Sequence, residues 1–164
     1  MYQIGDYVVK SANGVCKISD INQQTFLGKE KKLCYQLVPL TDKKATIYVS
    51  VEKADRSIRA VLTKEEAQNL IQKIPEIKEP WIYNEKERER NYKEAIQSNN
   101  PERLIGIVKL IYQRKQGRQK QGKKVPTVDE RYFDIAENRL YSELELVLEK
   151  NRNEIYELIK SYCE

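Results

Sequence analysis

The sequence contains no histidine among its 164 residues. That absence excludes histidine-based catalysis, histidine metal ligation and the usual protonation switch near neutral pH. Cysteine is scarce: Cys16, Cys34 and Cys163 form no Cys-x-x-Cys pair. Neither a zinc site nor a disulfide framework is expected, and a reducing compartment suits the chain. Cys16 and Cys34 lie in strand-like runs and are expected as buried free thiols. The six glycines form no phosphate-cradling cluster, so there is no Walker loop, no Gly-x-Gly-x-x-Gly and no Gly-x-Ser-x-Gly elbow. No apolar run approaches membrane-spanning length, and Met1–Asp6 lacks a signal pattern. A soluble cytoplasmic protein is expected, with no metal, no cofactor and no membrane association. The acidic pairs Asp129/Glu130 and Glu143/Glu145 read as a helix cap and a solvated face rather than as a catalytic acid and base. Cys34 lacks an activating base. The chain is not expected to be an enzyme.

What is present is charge, tyrosine and two contrasting kinds of periodicity. Eleven tyrosines stand against two phenylalanines and one tryptophan, a composition of aromatics with apolar bodies and wet tips. The net charge of +5 is uneven. Residues 1–58 carry a net +3, residues 59–124 a net +7 and residues 125–164 a net −5. A basic middle third suggests a polyanion-facing surface there.

Residues 1–58 read as β. Tyr7–Lys10 is a short strand, and Asn13-Gly14 is a hairpin signal. Val15 to Phe26, Leu33 to Leu40 and Ala45 to Val51 follow as further strands. Four or five short strands in this length predict a small SH3-like barrel that binds through a strand edge or its outer face. Residues 59–164 read as helical, giving an α+β protein with a compact all-α second domain. Thr63-Lys64-Glu65-Glu66 is a capping box ahead of Ala67, Leu70, Ile71 and Ile74, and Pro75 ends that helix. Asn84 with Glu87 opens a helix to about Gln97, and Asn100 with Pro101 opens the next. Between Lys109 and Lys124 there are seven basic residues and no acidic one. Gly117 and Gly122 predict a loop for the second half of that stretch. Thr127-Val128-Asp129-Glu130 reads as a capping box opening a helix to about Leu148, and a last helix covers about Asn153 to Tyr162.

The only tryptophan, Trp81, follows Pro80 on a non-helical lead-in to the helix at Asn84. Two readings stand at this point. Trp81 packs into a helical core, or it is an exposed aromatic beside arginines, as nucleic-acid surfaces use for wedging or stacking.

Several segments taken together carry a family likeness. They are Ile4-Gly5-Asp6-Tyr7-Val8-Val9 with Asn13-Gly14-Val15, then Ile47 to Ala54, and Trp81 leading to Arg88 and Tyr92-Lys93. Glu94 to Ser98, Leu104 to Arg114 and Asp129-Glu130 to Leu144 continue it. In order and spacing they resemble the CarD and CdnL bacterial transcription regulators, whose N-terminal module is shared with the polymerase-interacting domain of the transcription-repair coupling factor. The resemblance implies a Tudor-like barrel over residues 1–58 that docks on the RNA polymerase β subunit through positions matched by Gln24, Thr46, Tyr48 and Ser50. It implies a helical domain over residues 59–164 that meets promoter DNA at the upstream edge of the melted bubble, with little sequence specificity. Trp81 would be the minor-groove wedge, Arg88, Arg90 and Lys93 the nearby basic positions, and Lys115 and Arg118 a secondary group. The implied outcome is a monomer that stabilises the promoter open complex. This chain has Tyr48 where members often have arginine, Ser50 where they have proline, and Gln24 where some are basic. An apolar contact, or Lys29, Lys31 and Lys32, would then carry the docking. The alternative function is a polymerase-bound adaptor with no direct role at DNA.

Overall fold

The computed structural model describes residues 1–28 and 30–163, the last as backbone only. The chain divides into two units, Met1–Val61 and Leu62–Glu164.

The first unit is one antiparallel sheet of β1 (Tyr7–Lys10), β2 (Gly14–Phe26), β3 (Glu30–Pro39), β4 (Ile47–Ser50) and β5 (Ile58–Ala60), in the order β4-β3-β2-β1-β5. A four-residue helix, α1 (Ala54–Ser57), separates β4 from β5. β5 pairs with β1 through Val8↔Ala60 and Lys10↔Ile58, which moves the unit boundary beyond the expected residue 58. The sheet is open. β4 pairs with β3 and β5 with β1, so the two outer strands do not close the expected barrel. The first hairpin also differs from a two-residue Asn-Gly turn. Lys10 pairs with Gly14, leaving a three-residue loop, and Gly14 takes the left-handed φ of +76° that glycine adopts without a side-chain clash.

Period-2 alternation explains the core of this unit. Val8, Cys16, Ile18, Tyr35, Leu37 and Val49 point inward and pack with Ala54 and Ile58. The β2–β3 register shifts between Ile18 and Asp20, a bulge that re-phases β2. Beyond it, Gln24 donates to Asn22 at 2.8 Å, and Asn22 donates to Gln36 at 3.1 Å and to Asp20 at 2.8 Å. These side chains form a polar ladder on the outer face.

The second unit contains α2 (Lys64–Gln72), a 3-10 turn (Ile74–Glu76), α3 (Glu85–Gln97), α4 (Pro101–Lys120), α5 (Thr127–Leu148) and α6 (Arg152–Cys163). α5 is its spine. Tyr132 and Ala136 in its first half pack with Tyr92, Ala95, Leu104, Ile107 and Ile111 of α3 and α4. Leu140, Tyr141, Leu144 and Leu148 in its second half pack with Leu70 and Ile71 of α2 and Ile155 and Ile159 of α6. Three- and four-residue spacing along one long helix serves two neighbours in succession.

The helix ends follow their sequences with three exceptions. At α2 the capping box is complete: Thr63 Oγ accepts from the Glu66 amide, and Glu66 accepts from the Thr63 amide, each at 3.0 Å. Asn100 accepts from the amides of Glu102 and Arg103 at the start of α4. Asn84 accepts from the Lys86 amide at 3.0 Å, whereas its expected partner Glu87 pairs with Arg90. At α5 the expected box is absent. Pro126 is the N-cap and Thr127 is already helical, which frees Asp129 for another role. The predicted loop after Lys115 is also replaced, because α4 runs through Gly117 to Lys120. One helical glycine costs only about 1 kcal/mol relative to alanine, less than the packing that holds α4. The stop comes at Gly122, with φ +70°. Its amide bonds the Gln119 carbonyl at 3.1 Å and the Lys123 amide bonds the Arg118 carbonyl at 2.9 Å, a Schellman ending.

Thr63→Ala removes one half of the α2 box and leaves the Glu66 amide without its cap. The expected loss is about 1 kcal/mol of unfolding free energy, read as a lower denaturant midpoint at unchanged slope.

Candidate nucleic-acid interface and polymerase-facing edge

Trp81 stands in solvent, 77% exposed, and Tyr83 beside it is 89% exposed. Ile82 between them turns inward and packs against the cluster of Tyr92, Ile107 and Ile111. Trp81 and Ile82 carry no regular secondary structure and Tyr83 is a bend, so the inward turn of Ile82 leaves its two neighbours outside. The core reading of Trp81 is therefore excluded by its exposure.

The lead-in is held at both ends by α4. Upstream, the Lys109 ammonium donates to the carbonyls of Ile74 at 2.8 Å and Ile77 at 2.7 Å. It also lies 3.7 Å from Glu79, which accepts from the Gln113 amide at 2.7 Å. The Glu79 carboxyl is held below the usual carboxylate range by its own backbone N–H, with Gln113 and Lys109 adding to the effect. Gly106 lets the two chains approach: a Cβ there would lie 3.3 Å from the Lys78 carbonyl and 3.5 Å from Pro80.

Downstream lies a closed polar ring. Arg88 donates to both oxygens of Glu85 at 2.7 Å, and its remaining arm donates to the Tyr92 hydroxyl at 3.2 Å. Tyr92 donates to Asp129 at 3.0 Å, and Asp129 accepts from Arg114 Nε at 2.8 Å. Arg114 returns to Glu85 at 3.5 Å. Two guanidinium and two carboxylate groups leave the ring formally neutral, which suits its depth: Asp129 is fully buried and Arg88 is 7% exposed. Hydrogen bonding from Arg88 holds the Glu85 carboxyl below its ordinary range. Glu85 in turn raises the Arg88 guanidinium.

This ring corrects two sequence expectations. Asp129 is no cap but the buried link between α3, α4 and α5. Arg88, expected at the surface, is buried and bonded to Glu85 and Tyr92 inside the fold. The other expected positions fall differently. Arg90 is exposed and paired with Glu87 at 3.1 Å and Glu94 at 3.8 Å, and Lys93 is exposed and 3.7 Å from Glu89. Lys115 is exposed on α4, whereas Arg118 donates to the Lys124 carbonyl at 3.1 Å. Of the basic stretch, Lys109, Arg114 and Arg118 therefore serve internal bonds. Glu143, expected on a solvated face, is 2% exposed and accepts from the Leu62 amide at 2.8 Å. Tyr83 and the ring were missed by sequence reasoning. The only signal for Tyr83 was its two-residue spacing from Trp81.

On the sheet unit, Tyr48 and Ser50 lie on the edge strand β4, opposite Gln36 and Cys34 of β3. Thr46 immediately precedes that strand and is exposed, and Gln24 sits opposite Lys32 on the β2–β3 ladder. A cleft of about 270 Å³ beside β4 is lined by Phe26, Tyr48 and Ser50 together with Lys10, Lys32 and Lys53. It contains no carboxylate, so positive charge is present even though Tyr48 and Gln24 stand where basic residues were looked for. Lys31 is exposed on β3, and Lys29 lies outside the described residues. Burial pushes the Cys34 thiol up, consistent with an inert, buried cysteine outside any disulfide; Cys16 is likewise buried, its thiol donating to the Gly14 carbonyl at 3.5 Å. Among the described residues no group of three or more cysteine and acidic side chains could hold a metal ion, and no helix is long and apolar enough to cross a membrane.

Two measurements test the ring. Asp129→Ala leaves Arg114 Nε and the Tyr92 hydroxyl without their shared acceptor, and an unfolding titration should show a loss of about 3 kcal/mol, the scale for breaking a buried pair. Burial pushes the Tyr92 hydroxyl from 10.0 up to about 12. The folded chain then keeps a proton that the unfolded chain releases, so stability contributed by this group is complete below pH 10.0 and lost as pH rises towards about 12. Comparing wild type with Tyr92→Phe, the wild type should show the steeper decline across that window.

No curated protein matches the chain. Residues 2–62, the open sheet with its lysine-lined edge, match the family model described as the CarD-like/TRCF RID domain.

Proposed function

We propose that the protein is a transcription initiation regulator that docks on RNA polymerase and steadies the promoter open complex. Interaction with RNA polymerase is what the family match of the first unit supports. On this reading the sheet is the Tudor-like module of such regulators, and its edge strand β4 meets the polymerase β subunit. An edge strand with unpaired backbone groups is suited to adding a partner strand. Tyr48 and Ser50 supply side-chain contact, and Lys10, Lys32 and Lys53 supply the charge. The protein acts without turnover, as a monomer, and its place in the cytoplasm near the nucleoid follows from the polymerase it accompanies.

The second unit meets DNA at the upstream edge of the bubble. The observation that carries this is Trp81: a large aromatic ring held in solvent by a lead-in that is clamped on both sides. A ring exposed on a rigid support has lost little freedom when it inserts at a distorted base step. Arg90, Lys93 and Lys115 then meet phosphates, with their surface ion pairs exchanged for charge-assisted bonds to the backbone. A contact worth about 1.4 kcal/mol changes an equilibrium tenfold, so one wedge suffices to bias opening. Polymerase docking raises the local concentration of that wedge, so each contact can be weak by itself.

The adaptor reading, in which the second unit binds protein instead, gains weight from the internal use of Arg88, Lys109 and Arg114. The two are separated by the lifetime of a promoter open complex formed with cognate polymerase. Wild type should lengthen it, and Trp81→Ala should forfeit at least about fivefold of that extension, the lower range for loss of one stacked aromatic. Equal lifetimes for the two proteins would transfer the function to the sheet edge and the adaptor.

A further inference from the structure

We infer that Tyr83 is a second nucleic-acid contact, and that Trp81 and Tyr83, bracketed by Lys78 and Lys86, act as one two-ring tip at the junction of duplex and separated strands. The inference rests on the proposed role of Trp81 and extends it to three residues for which nothing in the chain's sequence had suggested a role.

The two rings are in contact, with centroids 6.1 Å apart and planes at 83°. An edge-to-face pair of this kind fixes the orientation of each ring relative to the other. Both are almost fully exposed while Ile82 anchors the backbone between them. Rings set at a right angle cannot both stack within one continuous column of bases. They can engage two surfaces that meet at an angle, as where a duplex ends and one strand turns away.

Charge identifies the occupant as a polyanion. From Glu79 to Glu89 each acidic side chain is already engaged: Glu79 by Lys109 and Gln113, Glu85 by Arg88 and Arg114, Glu87 by Arg90, and Glu89 by Lys93 and Arg131, while the exposed Glu76 lies on the far side of Lys78 from the rings in sequence. Lys78 and Lys86, on either side of the rings, are exposed and make no ion pair among the described residues. The carboxylates between the two lysines are thus neutralised from within, and two cations outside any ion pair flank two exposed π-faces. Base stacking between aromatic rings with phosphates on nearby lysines is the pattern by which single strands are bound without sequence preference. A protein partner would more commonly meet such rings in a desolvated pocket with few lysines at its centre.

The test uses the full chain, cognate polymerase and one promoter, with open-complex lifetime as the readout. Tyr83→Ala should cut the wild-type extension by about fivefold or more, as expected for one lost stacking ring, and Tyr83→Phe should retain it. Lys78→Gln with Lys86→Gln should shorten the lifetime and weaken its dependence on salt, since about two phosphate contacts are removed. Emission from the sole tryptophan should stay at its solvent-exposed wavelength in Tyr83→Ala, showing that Trp81 has not collapsed onto the fold. If Trp81→Ala loses the extension and Tyr83→Ala behaves as wild type, the two-ring tip is overturned and the proposed function stands. If Tyr83→Ala weakens binding to polymerase without DNA, the tip is a protein contact and the inference is likewise overturned. If wild type lengthens no lifetime at all, the proposed function fails and the tip fails with it.

Discussion

The ring of Glu85, Arg88, Tyr92, Asp129 and Arg114 is the constraint on which the second unit depends. It ties α3, α4 and α5 together at the point where the chain enters the helical bundle. Burying Asp129 and Arg88 is costly unless each is matched, and here each carboxylate of the ring faces a guanidinium within 3.5 Å, with Glu85 at the solvent side. The tyrosine hydroxyl closes the circuit by accepting from one arginine and donating to the aspartate. Neutrality of the whole explains why Asp129 tolerates complete burial. Removing any member takes a bond from each of its two neighbours, so the ring behaves as a unit rather than as separate bonds.

What the ring secures is a direction. It fixes the first turn of α3, and Lys109 with Gln113, also on α4, fixes the chain upstream at Ile74, Ile77 and Glu79. Between these anchors Ile82 is drawn inward, and Trp81 and Tyr83 are left exposed. Their exposure costs hydrophobic free energy that burial would recover. On the proposed function, this exposed surface, clamped on each side, serves binding rather than folding. The basic residues that prepare this surface are not those that would touch a ligand. Arg88, Lys109 and Arg114 hold the scaffold, which leaves the free cations at Lys78 and Lys86.

The sheet unit solves a different problem with the same economy. Its order leaves β4 at an edge, and the cleft beside that edge collects lysines from β1, β3 and the turn after β4. Positive charge at this edge is therefore supplied by Lys10, Lys32 and Lys53 rather than by side chains at Gln24 and Tyr48. With Tyr48 in place of the arginine that the family resemblance implies, the edge is a mixed aromatic and ammonium surface rather than a bidentate carboxylate fork.

Sequence alone determined the local structure. Alternation in residues 1–58 and three- to four-residue spacing thereafter identified strands and helices, and Thr63, Asn84, Asn100 and Pro75 marked ends that the structure uses, because these signals act within a few residues of themselves. The family likeness was legible for the same reason, being carried by ordered short segments. Tertiary structure decided whatever depends on residues far apart in the chain. It left the sheet open, because pairing of β5 with β1 is settled by long-range register. It carried α4 through Gly117, because packing outweighs one glycine. It turned Asp129 from an apparent cap into a buried link and turned Arg88 from an apparent surface cation into its internal counterpart. Charge counted along a chain cannot say which cations are already paired; only the folded arrangement, by spending Arg88, Lys109 and Arg114 inside, settles which charges and which aromatic rings are left to face a partner.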